Sequence, residues 1–203
     1  MEIIMKNTVL AAILAALSVS AVAEAPADVA VKPTRFYVEY GLNSGSGETE
    51  FSGDRTVSYD MDTRMSALTF GYIARTGVRF ELALTSIDAA LEGADNDDEF
   101  SGFDLNGKFP LGKDTIRPYL GAGMGFYDWE NTAALFADGE DLSGVSLNLM
   151  AGVLFEVHPH IELELGAQYK AISWETIQAS DSRTEVEISS SFLGVQAAAK
   201  VKF

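Results

Sequence analysis

The 203-residue chain has no cysteine, two histidines, two tryptophans and five prolines, and its 14 Lys and Arg face 30 Asp and Glu. Each shortage removes a class of protein. Without cysteine there is no disulfide framework, no thiolate metal centre and no lipid-attachment site behind a leader. Both histidines fall in one short segment, His158-Pro159-His160. Hydrolysis needs a base set against a nucleophile, and a metal needs further ligands, so a non-enzymatic chain without metal or cofactor is expected. A net charge of -16 and a pI near 4.3 repel phosphates and exclude nucleic acid as a partner. The mean hydropathy of +0.09 is too low for a bundle of membrane helices.

The longest apolar run, residues 9–17, is too short to cross ~30 Å of hydrocarbon as a helix. With Lys6 ahead of it and Ala21-Val22-Ala23 behind, it reads as an export signal over residues 1–23, cleaved before Glu24. Met5 is a better translation start than Met1, because Glu2 would place an acid in the basic region. Residues 24–33 follow as a short Ala/Pro/Val linker, and residues 34–203 make one domain.

What the rest of the chain has is a period of two. Residues 35–42, 67–72, 78–85, 103–109, 117–126, 145–157, 161–171 and 190–203 alternate apolar with polar or small side chains, which gives eight strands. Tight connections at 74–77, 110–114 and 158–160 alternate with long polar ones at 43–64, 88–99, 127–144 and 173–189.

A soluble barrel also alternates, with its apolar face inward; four features turn this one outward. No position on the apolar face carries a charge, as expected where each mid-membrane Lys or Arg costs ~2–4 kcal/mol. The opposite face is rich in Gly and Ala, which suits a narrow interior. Phe36, Tyr72, Phe80, Phe109, Phe155 and Phe203 all fall beside the short turns or the last residue, as an inner aromatic girdle. Short and long connections alternate. The expected fold is therefore all-β: an eight-stranded antiparallel up-and-down transmembrane β-barrel with short periplasmic turns and long extracellular loops. Strand 190–203 must close it against 35–42.

Two motifs carry a resemblance. Arg117-Pro118-Tyr119-Leu120-Gly121-Ala122-Gly123-Met124-Gly125-Phe126 and the final Ala199-Lys200-Val201-Lys202-Phe203 are similar to segments of small outer-membrane barrels of the OmpA/OmpX-like superfamily. That group includes opacity-type adhesins and "porin family" proteins. The resemblance implies residence in a bacterial outer membrane, contact with its lipid and lipopolysaccharide, and reading of Val201 and Phe203 by the barrel-assembly machinery. A monomer is expected, without the periplasmic peptidoglycan-binding domain of the group's two-domain version.

The charges sort by face. Glu39, Arg79, Glu81, Asp104, Lys108, Arg117, Glu156, Glu162, Glu164, Lys170, Lys200 and Lys202 lie on the polar strand face. This near-neutral set is expected to pair inside the lumen, because buried charges need partners. The acidic excess falls on the four long connections, which carry -17 among them. Their densest run is Asp95, Asp97, Asp98 and Glu99. Its sharper reading is a divalent-cation bridge to lipopolysaccharide phosphates, although the run lacks the Gly and distant Glu of an EF-hand loop; its plainer reading is solvated surface. Phe51, Tyr59, Trp129, Phe136 and Trp174 are loop aromatics open to adhesion, with Trp129 and Trp174 expected at the loop bases near the outer interface. The functional expectation is a rigid barrel presenting acidic loops in envelope integrity, adhesion or host interaction, its extracellular ligand unknown. A small diffusion pore competes with it, and a lipid A-modifying enzyme is a more distant alternative.

Overall fold

The computed structural model describes residues 35–92, 98–130, 141–178 and 185–203. The expected leader and linker, and Asp95, Asp97 and Phe136, lie outside them.

The strands are β1 Arg35–Ser52, β2 Thr56–Ile73, β3 Arg79–Leu91, β4 Asp98–Pro110, β5 Ile116–Trp129, β6 Leu142–His158, β7 Ile161–Trp174, β8 Ile177–Gln178 and β9 Glu185–Lys202. β8 is a two-residue extension pairing only with β9. The other eight form an antiparallel ring, closed by β1 against β9 from Tyr37 opposite Lys202 to Ser52 opposite Glu187. The expected eight-stranded barrel is the observed one.

Register fixes its shape. From Val38 on β1 the pairings pass through Phe70, Leu82, Leu105, Met124, Leu147, Ala171 and Ser191, and return to β1 at Glu48, ten residues higher. That stagger inclines the strands by about 40° and leaves an interior that side chains can fill. At the periplasmic turn between β2 and β3, Gly77 adopts φ +90°, a backbone region that a β-carbon disfavours, and its N–H donates to the Ala74 carbonyl at 2.9 Å.

The strands run further than their apolar alternation. Residues 43–64, expected as a polar loop, are strand apart from Gly53, Asp54 and Arg55. β9 likewise begins at Glu185, inside the loop expected at 173–189, while β3 reaches Leu91 and β4 begins at Asp98. The physical reason is an inversion of faces. Above the apolar belt the outer surface no longer meets lipid, so Ser44, Ser46 and Glu48 of β1 and Asp62 and Arg64 of β2 point outward. Backbone pairing continues because every ladder group still has a partner. Inside, Thr49, Met61, Thr63 and Met65 are buried. The barrel is apolar outside and polar inside at the membrane, and the reverse above it.

Candidate functional site: the barrel lumen

All twelve charged residues of the polar strand face project into the lumen, six cations against six anions, in three groups. Nearest the periplasm, Glu162 takes both guanidinium arms of Arg79, Nη1 at 2.5 Å and Nη2 at 2.9 Å. The same carboxylate accepts Arg117 Nη2 at 2.5 Å, and Glu156 takes Arg117 at 2.9 Å and Lys202 Nζ at 3.2 Å.

One layer higher, Lys108 and Lys200 share three carboxylates. Lys108 Nζ lies 2.8 Å from Glu164, 3.1 Å from Glu81 and 3.9 Å from Glu39. Lys200 Nζ lies 2.5 Å from Glu164, 2.7 Å from Glu39 and 3.7 Å from Glu81. The Tyr119 hydroxyl donates to Glu164 at 2.6 Å, and the Tyr37 hydroxyl donates to Glu81. The Tyr37 ring has room only because Gly71, its neighbour across the register, has no β-carbon to enter it.

The third group is centred on Asp104. Lys170 Nζ donates to both its oxygens, at 2.8 and 2.9 Å, and Tyr127, Asn148 and Thr85 add bonds of 2.7, 2.8 and 3.1 Å. A carboxylate holding so many donors is fixed in position as well as neutralised. Between this group and the one below, a cavity of about 40 Å³ is lined by Asn43, Asn106, Met150, Gln168 and Gln196. It has room for a few water molecules at most.

Above Asp104 the lumen turns apolar. Phe100, Trp129 and Trp174 pack ring against ring with centroids 4.9–5.4 Å apart, and Met61, Ile87, Ile172, Ile188 and Phe192 surround them. The Trp174 indole N–H donates to Ser190 Oγ at 3.0 Å. The two tryptophans sit at the loop bases as expected, as the last residues of β5 and β7, but they face the lumen and are buried instead of meeting the membrane interface, because both strands continue their alternation past the belt. Phe51 packs on the edge of this cluster, while Tyr59 is exposed.

The acidic run expected to gather a cation is split by the strand pleat. Asp98 is buried on the inner face and Glu99 is exposed on the outer one, so neighbours in sequence point apart. Among the described residues no group of His, Asp or Glu is arranged to hold a metal. The six girdle aromatics face outward beside the periplasmic turns, with Phe36 paired to Tyr72 at a ring distance of 5.4 Å and Tyr72 paired in turn to Phe80. Val201 and Phe203 face outward too, and the Phe203 N–H donates to the Phe36 carbonyl at 3.0 Å.

Sequence reasoning missed the tyrosines of the charge groups and the apolar cap. Both were readable by carrying the inward period past its apparent end: Gln168, Lys170, Ile172 and Trp174 form one continuous inner row on β7.

No curated protein matches the chain by sequence. Among solved structures, Neisserial surface protein A is similar at a TM-score of 0.51 and 16% identity, covering 85% of this chain and 100% of that one. The outer membrane protein AlkL is similar at a TM-score of 0.57 and 12% identity, over 89% and 95% of the two chains. OprG from Pseudomonas aeruginosa is similar at 0.54 and 15%, over 85% and 97%. At such identities these likenesses speak for the fold alone. The family model described as "Outer membrane protein beta-barrel domain" matches residues 9–202. The chain belongs to the outer membrane protein β-barrel family.

Proposed function

We propose that the protein is a non-enzymatic outer-membrane barrel with a closed lumen, working through its surface in envelope integrity, adhesion or host interaction. One observation carries this reading: the lumen is filled across its width at two heights, by paired charges around Glu164 and by the Phe100, Trp129 and Trp174 rings. A solute would have to break several buried ion pairs below and displace an aromatic cap above. Separating such a pair leaves uncompensated buried charge at a cost of about 3–5 kcal/mol, so a path that must open several of them and the cap as well is strongly disfavoured.

The surface it presents is acidic. Glu48, Asp60, Asp62, Asp88, Glu99 and Asp128 are exposed around the extracellular end, which favours basic or cation-bridged partners over polyanions. His158 and His160 support a structural role: their rings lie 5.8 Å apart at the periplasmic turn, and His160 Nδ1 is 2.9 Å from the Lys202 carbonyl. The partners that go with this reading are outer-membrane lipid, lipopolysaccharide, the barrel-assembly machinery during insertion, and an extracellular ligand of basic character; the barrel acts as a monomer.

A deletion strain compared with its parent tests the reading. Uptake of small hydrophilic solutes is expected to be unchanged, while detergent sensitivity or surface binding changes. Slower uptake in the deletion strain, restored by the gene, would overturn it in favour of a pore.

A further inference from the structure

The lipid-facing belt differs in height around the barrel. On β6 seven successive outward positions, from Val145 to Val157, are apolar. On β2 the outward run is Leu68, Phe70 and Tyr72, and on β3 it is Phe80, Leu82 and Leu84. Ser66 and Ser86 come next, opposite one another, followed by Arg64 opposite Asp88. On strands inclined by about 40°, each residue advances about 2.5 Å along the axis, so the belt is roughly 30 Å tall at β6 and about a third of that at β2 and β3.

With each step to the next strand climbing about 3 Å, Leu84 stands level with Leu149 and Phe80 with Val153, so the β3 belt stops about 10 Å short of the β6 belt at the extracellular edge and by a similar distance at the periplasmic one. Tilting the barrel cannot remove it, because a tilt moves both edges of one side together. The same climb puts Ser86 level with Leu147 on the far side, and Asp88 level with Val145. A flat hydrocarbon layer set by β6 would therefore enclose Ser66 and Ser86 and reach Arg64 and Asp88 at its upper edge, where an Arg costs up to about 1 kcal/mol and more the deeper it is set.

We propose that the outer leaflet is drawn down beside β1 to β4, so that lipid headgroups and their water meet Ser44, Ser66, Ser86 and Ser101. An open depression of about 380 Å³ lies at this place. Tyr40, Leu68 and Leu84 form its apolar part, and Ser66, Ser86 and Ser101 line it with hydroxyls. Apolar and hydroxyl-bearing walls in one depression match the boundary between a lipid's acyl chains and its headgroup. The barrel thins the membrane on one side and leaves it at full thickness on the other. This rests on the outer face alone and stands apart from whether the lumen is closed.

The absence of cysteine allows a clean test. Ser86→Cys and Leu147→Cys, each carrying a nitroxide on the full chain folded into dimyristoylphosphatidylcholine vesicles, are compared for collision with oxygen and with a water-soluble nickel chelate. The ratio of nickel to oxygen collisions is expected to be several-fold higher at 86 than at 147, and Ser101→Cys serves as a second position on the short side. Equal, oxygen-dominated ratios at both would overturn the proposal by showing a level hydrocarbon edge. Shielding of 86 and 101 from both agents would overturn it by showing that protein, a second copy of the chain, covers this side.

Discussion

Arg79 and Glu162 meet across the full width of the barrel: β3 and β7 stand four strands apart in a ring of eight, and the guanidinium and carboxylate still form two bonds, at 2.5 and 2.9 Å. Both side chains are almost wholly shielded from water. A pair that joins opposite walls fixes the lumen's width as well as its charge.

Glu162→Gln removes the carboxylate that Arg79 and Arg117 share, and leaves Lys202 with Glu156 as its near partner. Breaking a buried pair from one side is expected to cost about 3–5 kcal/mol. The check is the urea midpoint of the folded barrel in vesicles, which should fall with the denaturant slope unchanged. A shift worth less than about 1 kcal/mol would show the pairing to be solvated.

Asp104→Asn keeps the shape of the side chain and strips Lys170 of its counter-charge; this too is expected to destabilise by about 3–5 kcal/mol. Lys170→Met in the same molecule should recover most of that loss, because the uncompensated charge is what costs. A double-mutant cycle on unfolding free energy reads the coupling directly. Additive losses would contradict it.

Trp129 and Trp174 are the two tryptophans of the chain, and their rings lie 5.4 Å apart inside the lumen. Their emission is expected to resist both iodide in the water and brominated acyl chains in the bilayer. Tryptophans at the outer interface would be quenched strongly by brominated lipid. Trp129→Ala opens the cap and is expected to cost about 3–5 kcal/mol.

Phe203→Ala removes an outward-facing ring that takes no part in the lumen, while keeping the backbone bond to Phe36. Refolding stability in vesicles is expected to change by less than about 1 kcal/mol. Outer-membrane levels in cells are expected to fall, and to fall further than on deleting Gly53, Asp54 and Arg55 at the β1–β2 tip. Equal levels would show that the final aromatic is not read during insertion.

The membrane belt was legible because lipid imposes a rule on every second residue: Ile161, Leu163, Leu165, Ala167, Tyr169 and Ala171 can be read as one face without a structure. The charged residues of the opposite face were legible for the same reason. Who pairs with whom was not. Arg79 and Glu162 are 83 residues apart, and their meeting depends on the ten-residue stagger, which no local pattern encodes. The strand extensions were missed for a different reason. Beyond Leu42 the outer face carries Ser44, Ser46 and Glu48 while the inner one carries Asn43, Gly45 and Gly47. With both faces polar or small, composition resembles a loop although backbone pairing continues. The apolar cap stayed hidden behind the same inversion, since Ile87, Phe100 and Ile172 look like stray hydrophobics until their faces are assigned.

Single-channel recording in planar bilayers tests the closed lumen most directly. The folded wild-type barrel is expected to show no stepwise conductance, and Glu162→Gln combined with Trp129→Ala is expected to produce steps by loosening the lower charge group and the cap together. Stable, frequent steps from the wild-type protein would contradict a lumen sealed by paired charges and aromatic rings.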